Sequence, residues 1–100
     1  MQDVCQGEIL KIEGIRDKVV VVSGDFFNRT EMVFVCPISD KVRDDALHIW
    51  IETEDASGFV MCEQTKLLDM RRRGFTKISK LGYSKIIDIV DTIQSIFDYV

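Results

Sequence analysis

Gly58-Phe59-Val60-Met61-Cys62-Glu63-Gln64-Thr65-Lys66-Leu67-Leu68-Asp69-Met70-Arg71-Arg72-Arg73-Gly74-Phe75 packs three kinds of information into eighteen residues. A short apolar run, Phe59 to Cys62, follows a glycine and reads as a buried strand entered from a turn. Glu63 and Gln64 come next, an acid and an amide at a rigid strand end, where polar groups are held at a surface. Leu67-Leu68, one acid and three arginines complete the stretch.

Upstream, Leu47-His48-Ile49-Trp50-Ile51-Glu52 alternates. Leu47, Ile49 and Ile51 share one face of a strand and His48, Trp50 and Glu52 share the other. Glu54 to Gly58 supplies turn residues, so this strand and the next are expected to pair as a hairpin. Further back, Met32 to Cys36 reads as a strand stopped at Pro37, which cannot donate to a ladder. Asp40 to Asp45 is a charged loop with room for one helical turn. Val19-Val20-Val21-Val22 is four β-branched residues in succession, a central-strand signal, and Gly7 to Ile12 is a first strand. Thr76 to Leu81 is a candidate last strand.

The period then changes. Ile86, Ile89, Val90, Ile93, Ile96, Phe97 and Val100 form one apolar stripe of a helix, with Asp88, Asp91 and Asp98 on the other side. Gly82 breaks the preceding strand and Ser84 is the expected N-cap. Five or six short strands and one terminal helix predict a mainly β fold, a small curved sheet or barrel with the helix against it.

The chain has 100 residues, 46% hydrophobic and 30% charged, the size and balance of one globular domain over 1–100. A core of this size is often helped by an oligomer partner, and the helix stripe is a surface for a second copy. No apolar run reaches the roughly 20 residues of a membrane span. The N-terminus lacks a signal-peptide pattern, and the expected location is the cytoplasm. Three cysteines, Cys5, Cys36 and Cys62, show no CxxC spacing, and His48 is the one histidine, so no metal or other cofactor is expected. The net charge is −4, unevenly spread. Lys66 to Lys85 holds seven basic residues and one acid against a surplus of acids elsewhere. That pattern excludes a general nucleic-acid coat and permits one phosphate-facing patch. A solvated polar face is the plainer account of the same charges.

The 58–74 segment resembles Gly-Val-Val-x-Cys-(Asp/Glu)-Gln-x-(Arg/Lys)-x-(Ile/Leu)-Asp-x-x-x-Arg-Gly of the MazF/PemK/Kid toxins. Gly7-Glu8-Ile9-Leu10 is similar to their opening, Val19 to Val22 to the strand after their Arg-Pro, Phe27-Asn28-Arg29 to a loop of the Kid-like members, and Val33 to Ser39 to their Val-Val-x-Pro-(Ile/Val)-Thr. The resemblance spans about Gly7 to Phe97. It implies an SH3-like small barrel of the CcdB/PemK type with a C-terminal helix, a homodimer, and the toxin component of a bacterial toxin–antitoxin system. Such toxins act as mRNA interferases, cutting single-stranded RNA without a metal, and a segment of the cognate antitoxin lies across the RNA groove.

Metal-free cleavage needs a base, an acid and a cation. Carried over by resemblance, Glu63 stands for the family Asp and Ser39 for its Thr. Arg16 lies one residue out of step with the loop arginine, which Asp17 replaces, while Lys18 takes the place of the proline. Met61 occupies the position of a Kid-like strand arginine, the loop from Glu13 to Lys18 is short, and the loop histidine is absent. The catalytic candidates are therefore Glu63, Arg16 and Ser39. The nucleic-acid-binding candidates are Arg71, Arg72, Arg73, Gln64, Arg29 and Lys18. Each has a structural account too: Glu63 as a strand-end acid near Lys66, Ser39 as a turn residue, Arg16 as a solvated loop cation. Trp50 suits base stacking or packing. The competing function is a catalytically impaired member that binds antitoxin, RNA or DNA without cutting. A gyrase-poisoning toxin of the CcdB kind would end in Trp-Gly-Ile, unlike Phe97-Asp98-Tyr99-Val100.

Overall fold

The computed structural model describes residues 3–98; Val100 of the helix stripe, and Met1, Gln2 and Tyr99 of the two chain ends, lie outside them. In chain order the elements are β1 (Glu8–Ile12), β2 (Val19–Val21), α1 (Asp25–Asn28), β3 (Met32–Ser39), β4 (His48–Glu52) and β5 (Ser57–Met61). A 3₁₀ turn (Cys62–Gln64), β6 (Lys66–Asp69), β7 (Phe75–Lys80) and α2 (Tyr83–Ile96) follow. The strands form one antiparallel sheet in the order β4-β5-β3-β2-β1-β7, with β6 added to the first half of β3. This half-barrel with a C-terminal helix is the mainly β fold expected from the chain.

β3 is the spine. One edge pairs with β2 from Val35 to Pro37. The other edge pairs with β6 from Met32 to Val35, then with β5 at Ile38 and Ser39. The strand thus runs through Pro37 instead of stopping there. Against β2 the bonded positions alternate: Val22 N–H donates to the Phe34 carbonyl and Ile38 N–H to the Lys18 carbonyl, both at 2.9 Å. Pro37 falls between them, with its nitrogen turned to the opposite edge. There it meets the gap between the end of β6 and the start of β5, where no donor is required.

The four valines 19–22 explain why the sheet sits in the middle of the molecule. Val20 and Val22 join Ile9, Cys36, Ile38, Ile51, Val60 and Ile89 on one side. Val19 and Val21 join Leu10, Ile12, Val33, Val35, Leu68 and Met70 on the other. A strand buried on both faces needs apolar residues at every position, and an unbroken valine run supplies them.

α2 closes the first cluster through Ile86, Ile89 and Ile93, and Ile89 is 1% exposed. The stripe then leaves the core: Ile96 and Phe97 are 41% and 75% exposed. The helix opens at Tyr83 with Gly82, in extended conformation, as N-cap, so Ser84 is inside the first turn and not the cap. Gly7, at φ +90°, lies where any Cβ would collide with Ile86, which lets the helix approach the entry to β1.

Other boundaries differ from the sequence expectation. β4 starts at His48, because residues 46 and 47 form a turn. Cys62 is in the 3₁₀ turn and not in β5. Lys66–Asp69 is a strand of its own. Phe27-Asn28 belongs to α1, held by the buried Asn28 amide, whose Nδ2 donates to the carbonyls of Ser23 at 3.0 Å and Val4 at 3.3 Å. The 40–45 stretch contains no helix.

Candidate functional site

The β4–β5 register pairs His48 with Met61, Trp50 with Phe59 and Glu52 with Ser57. β3 sets Ser39 opposite Phe59. Directly paired residues share a face. Ser39, Phe59, Trp50, His48 and Glu52 therefore lie on one face of three adjacent strands, while Ile38, Val60, Ile49 and Ile51 point into the core. Trp50 meets Phe59 edge-on, with ring centroids 5.1 Å apart, and remains 43% exposed. Gly58 pairs with Ile51 on the core side of the same strand and has φ +147°; a Cβ there would press to 3.0 Å from Ile38 Cγ2 and 3.1 Å from the Ser39 carbonyl.

β3 and β4 are both antiparallel to β5, so residues 40–47 must travel back along β5 to join them. They do so over this same face, where Val42 and Met61 line one hollow. The returning segment delivers two polar groups to His48, and the 3₁₀ turn a third. The Arg43 carbonyl is 2.7 Å from Nδ1, Asp45 Oδ1 is 3.4 Å from Nδ1, and Glu63 Oε2 of the 3₁₀ turn is 3.1 Å from Nε2. A carbonyl and an ionised carboxylate can only accept, so with both contacts made each ring nitrogen donates and the surroundings favour the imidazolium form. The bond to the Arg43 carbonyl, then that to Glu63, raises the His48 pKa above its ordinary value, with burial opposing. The His48 side chain is 8% exposed against 35% for Glu63. The carboxylate is thus the accessible member, and the histidine orients it from behind.

The cations lie on the other side of Met61. Arg16, Lys18 and Ser39 line one hollow of about 590 Å³ with Lys41 and Met61. Glu63 and His48 are not among its lining residues, although Met61 is the cross-strand partner of His48. The short first loop is pinned from below, as Lys11 Nζ donates to the Ile15 carbonyl at 2.7 Å and also to that of Arg16. The Arg16 side chain itself is 95% exposed, with Asp17 at 3.9 Å, a separation at which a surface pair contributes little. Lys18 Nζ donates to the Asp55 carbonyl at 2.9 Å. Ser39 Oγ accepts the Lys41 N–H at 3.1 Å, which leaves its hydrogen for another acceptor.

Arg16 also lines the neighbouring hollow with Glu13, Gly74 and Phe75, and Glu13 N–H donates to the Gly74 carbonyl at 2.9 Å. This connects the basic turn between β6 and β7 to the first loop. Within that turn Arg71 is committed: its Nε and Nη2 bond both oxygens of Asp69, at 2.9 and 2.5 Å, and this fork holds the Asp69 carboxyl below the usual carboxylate range. Arg72 and Arg73 are exposed and take no part in the ion pairs among the described residues. Gln64 is exposed beside Glu63. Arg29 lies apart, over the Phe26 ring at 5.9 Å, near Asp25 and Glu31.

The two interior thiols are poor nucleophiles. Burial pushes the Cys62 thiol up to about 12, helped by Cys36 and Glu63. Burial likewise raises Cys36, whose Sγ is 3.2 Å from Thr65 Oγ1. Among the described residues no group of three His, Cys, Asp or Glu is placed to hold a metal ion.

His48 is the member that sequence reasoning passed over, having weighed it only as a metal ligand. A signal existed: the hairpin register puts residue 48 beside 61, two residues before Glu63. The stabilisation has a definite pH dependence. Because the folded-state pKa is raised, charged His48 stabilises the fold fully below the unfolded value of about 6.5. That contribution disappears as pH rises through the folded value. Thermal melts of the unaltered protein and of His48→Gln from pH 5 to 9 are expected to differ most in acid and converge in alkali. A pH-independent difference would contradict the imidazolium assignment.

Comparison with known proteins bears on the family and the fold. The family model described as PemK-like, MazF-like toxin of type II toxin–antitoxin system matches residues 10–97. No curated protein matches the chain by sequence. Among solved structures, a chain of MazE–MazF from Deinococcus radiodurans superposes with TM-score 0.86 at 16% identity, covering 100% of both chains. A mycobacterial endoribonuclease, solved in complex with its cognate antitoxin, gives 0.80 at 14% identity, covering 97% of this chain and 99% of that one. Mycobacterium tuberculosis toxin MazF-mt6 gives 0.73 at 19%, covering 95% and 99%. At these identities the structural likeness is one of fold.

Proposed function

The chain belongs to the PemK-like, MazF-like toxin family of type II toxin–antitoxin systems, and from that premise we propose that it is a metal-independent endoribonuclease acting on single-stranded RNA in the cytoplasm. The observation that carries this reading is the His48–Glu63 pair, an exposed carboxylate oriented by a largely covered imidazolium, on the sheet face that also bears Ser39. In the proposed reaction Glu63 takes the proton of a ribose 2′-hydroxyl. The 2′-oxygen attacks the adjacent phosphorus and the bond to the 5′-oxygen breaks; the departing oxygen takes a proton from water, leaving a 2′,3′-cyclic phosphate and a 5′-hydroxyl, and Glu63 returns its proton to solvent. Arg16 meets the charge that grows on the phosphoryl oxygens, and Ser39 donates its free hydrogen to the same group. Such preorganised donors act where charge develops. Arg72 and Arg73, joined to Arg16 through the first loop, suit phosphates further along the strand.

The competing reading, a binding module that does not cut, is favoured by one observation: Glu63 lies outside the hollow that Arg16, Lys18 and Ser39 line, with Met61 between. One experiment separates the two. Purified protein is expected to shorten a long single-stranded RNA in the presence of a chelator, leaving 2′,3′-cyclic ends. Intact RNA under those conditions would leave the binding module as the better account.

Partners follow from the same premise. A cognate antitoxin is proposed, since the Deinococcus and mycobacterial relatives were solved with theirs. A homodimer of this single toxin domain is proposed as well, on the strength of the exposed Tyr83, Ile87 and Ile96 of α2 and of Phe97 just after it, apolar surface that a second copy would cover. Light scattering of the RNA-cleaving preparation at micromolar concentration should give the mass of two chains, and a monomer would contradict it.

A further inference from the structure

Trp50 and Glu52 occupy consecutive positions on the outward face of β4. Trp50 is the only tryptophan of the chain, is 43% exposed, and is braced edge-on by Phe59. A strand Trp placed for packing would bury its ring in the core, whereas this one faces outward with its rotation limited by a neighbouring aromatic. Glu52 is exposed and enters none of the ion pairs found among the described residues. It lines a hollow with Lys18 and Ser57, and Lys18 and Ser57 also line the hollow of Arg16 and Ser39. An exposed aromatic ring and an unpaired carboxylate therefore adjoin on β4, and the carboxylate adjoins the cationic cluster through Lys18.

We propose that this surface is a nucleobase subsite selective for guanine. The base stacks on Trp50, its N1–H and N2–H₂ donate to the two oxygens of Glu52, and the attached phosphate faces Lys18, Ser39 and Arg16. The inference rests on the RNA-cleaving reading and names the base that positions the scissile strand. The chemistry selects the base. A carboxylate only accepts, and guanine is the one RNA base with two adjacent donors on its Watson–Crick edge. Adenine and cytosine offer one amino group beside an acceptor that would face the carboxylate. Uracil offers one imino group between two acceptors. Stacking adds affinity with any base, because every base has a π-face; Glu52 adds the choice. The electrostatic setting agrees. Asp40, Glu54 and Asp55 also border the two hollows, which disfavours a long run of phosphates over this face and favours one base read by an acid.

The lone tryptophan makes the test direct. Short 2′-O-methyl oligonucleotides cannot supply the attacking hydroxyl, so binding is read without cleavage. An oligonucleotide with a single guanine is expected to quench Trp50 fluorescence. The inosine version, which lacks the N2 amino group, is expected to bind about tenfold more weakly, and the abasic version not to quench. Glu52→Gln should remove the guanine-over-inosine preference and keep the quenching. On cleavable RNA, Trp50→Ala should raise KM roughly tenfold, and Trp50→Phe, which keeps a ring, should recover most of the loss. Cleavage by the unaltered protein with no quenching, and no effect of either substitution on base preference, would overturn the subsite while leaving the nuclease standing. Quenching ordered as expected with no cleavage would do the reverse. Equal quenching by the guanine and abasic oligonucleotides would also overturn it, since backbone contact alone would then explain the signal.

Discussion

Glu63→Gln is expected to lower RNA cleavage by roughly 10²–10⁴-fold, the usual share of general acid–base catalysis, with little change in stability. The substitution is selective because of the geometry. Glutamine keeps the size of the side chain, and its amide oxygen accepts the His48 Nε2–H that now reaches Glu63 Oε2 at 3.1 Å. The amide cannot take up a proton, so what is lost is proton transfer and not position. Glu63 is exposed at a turn, where a neutral replacement is well tolerated. His48→Gln makes the complementary test. It leaves the carboxylate in place and removes the imidazolium that orients it, so its rate should fall less than that of Glu63→Gln. Initial rates on one single-stranded RNA, with chelator present and melting temperatures matched, give the comparison. A Glu63→Gln rate close to that of the unaltered protein would remove Glu63 from the chemistry and favour the non-cutting alternative.

Both residues were visible in the chain, but their meeting was not. The alternation from His48 to Glu52 placed His48, Trp50 and Glu52 on one face, and β4 keeps that alternation. The run from Phe59 read as a strand ending in polar residues, and β5 with its 3₁₀ turn follows that outline. What periodicity could not supply was the return path of residues 40–47. That path brings the Arg43 carbonyl and Asp45 to the ring, and it is set by the strand order β4-β5-β3, a tertiary fact. Pro37 misled for a similar reason. A proline ends a strand when both edges need donors, and here one edge changes partner at that residue. β6 was obscured by its exposure: Leu67 is 49% exposed while Leu68 is buried, so four residues with one buried apolar position gave too short a pattern to read. The valine run was legible because burial on both faces leaves no polar position to confuse the period.

Glu63 also depends on the core beneath it, and the same strand order explains why. The 3₁₀ turn that presents it starts at Cys62, 1% exposed, which packs in one cluster with Val20, Cys36, Val60 and Ile89. The outward row from Ser39 to His48 stands on Ile38, Ile49, Ile51 and Val60 of that cluster. The site is therefore a surface whose height and tilt are set by how well α2 seats on the sheet.

Ile89→Ala is the substitution that tests this coupling, and it carries the largest expected cost in stability. Ile89 is the one buried residue of α2, at 1% exposure, flanked by the half-covered Ile86 and Ile93. Truncating a fully buried isoleucine removes its transfer free energy and leaves a cavity, about 2–5 kcal/mol in all. Small domains have about 5–15 kcal/mol in total, so α2 should be the first element to loosen. For a domain of this size each kcal/mol lowers the melting temperature by roughly 4–8 °C. Ile87→Ala, on the same helix but 40% exposed, is the control and should cost far less. Hydrogen exchange should then show amides of the 3₁₀ turn losing protection together with α2 in Ile89→Ala, because Cys62 shares the cavity. Cleavage measured well below the melting temperature should fall as well, with kcat reduced more than KM, since a mobile turn misplaces the base without removing the phosphate-facing cations. A variant melting within a few degrees of the unaltered protein, with the turn still protected, would show that the sheet seats the site without the helix.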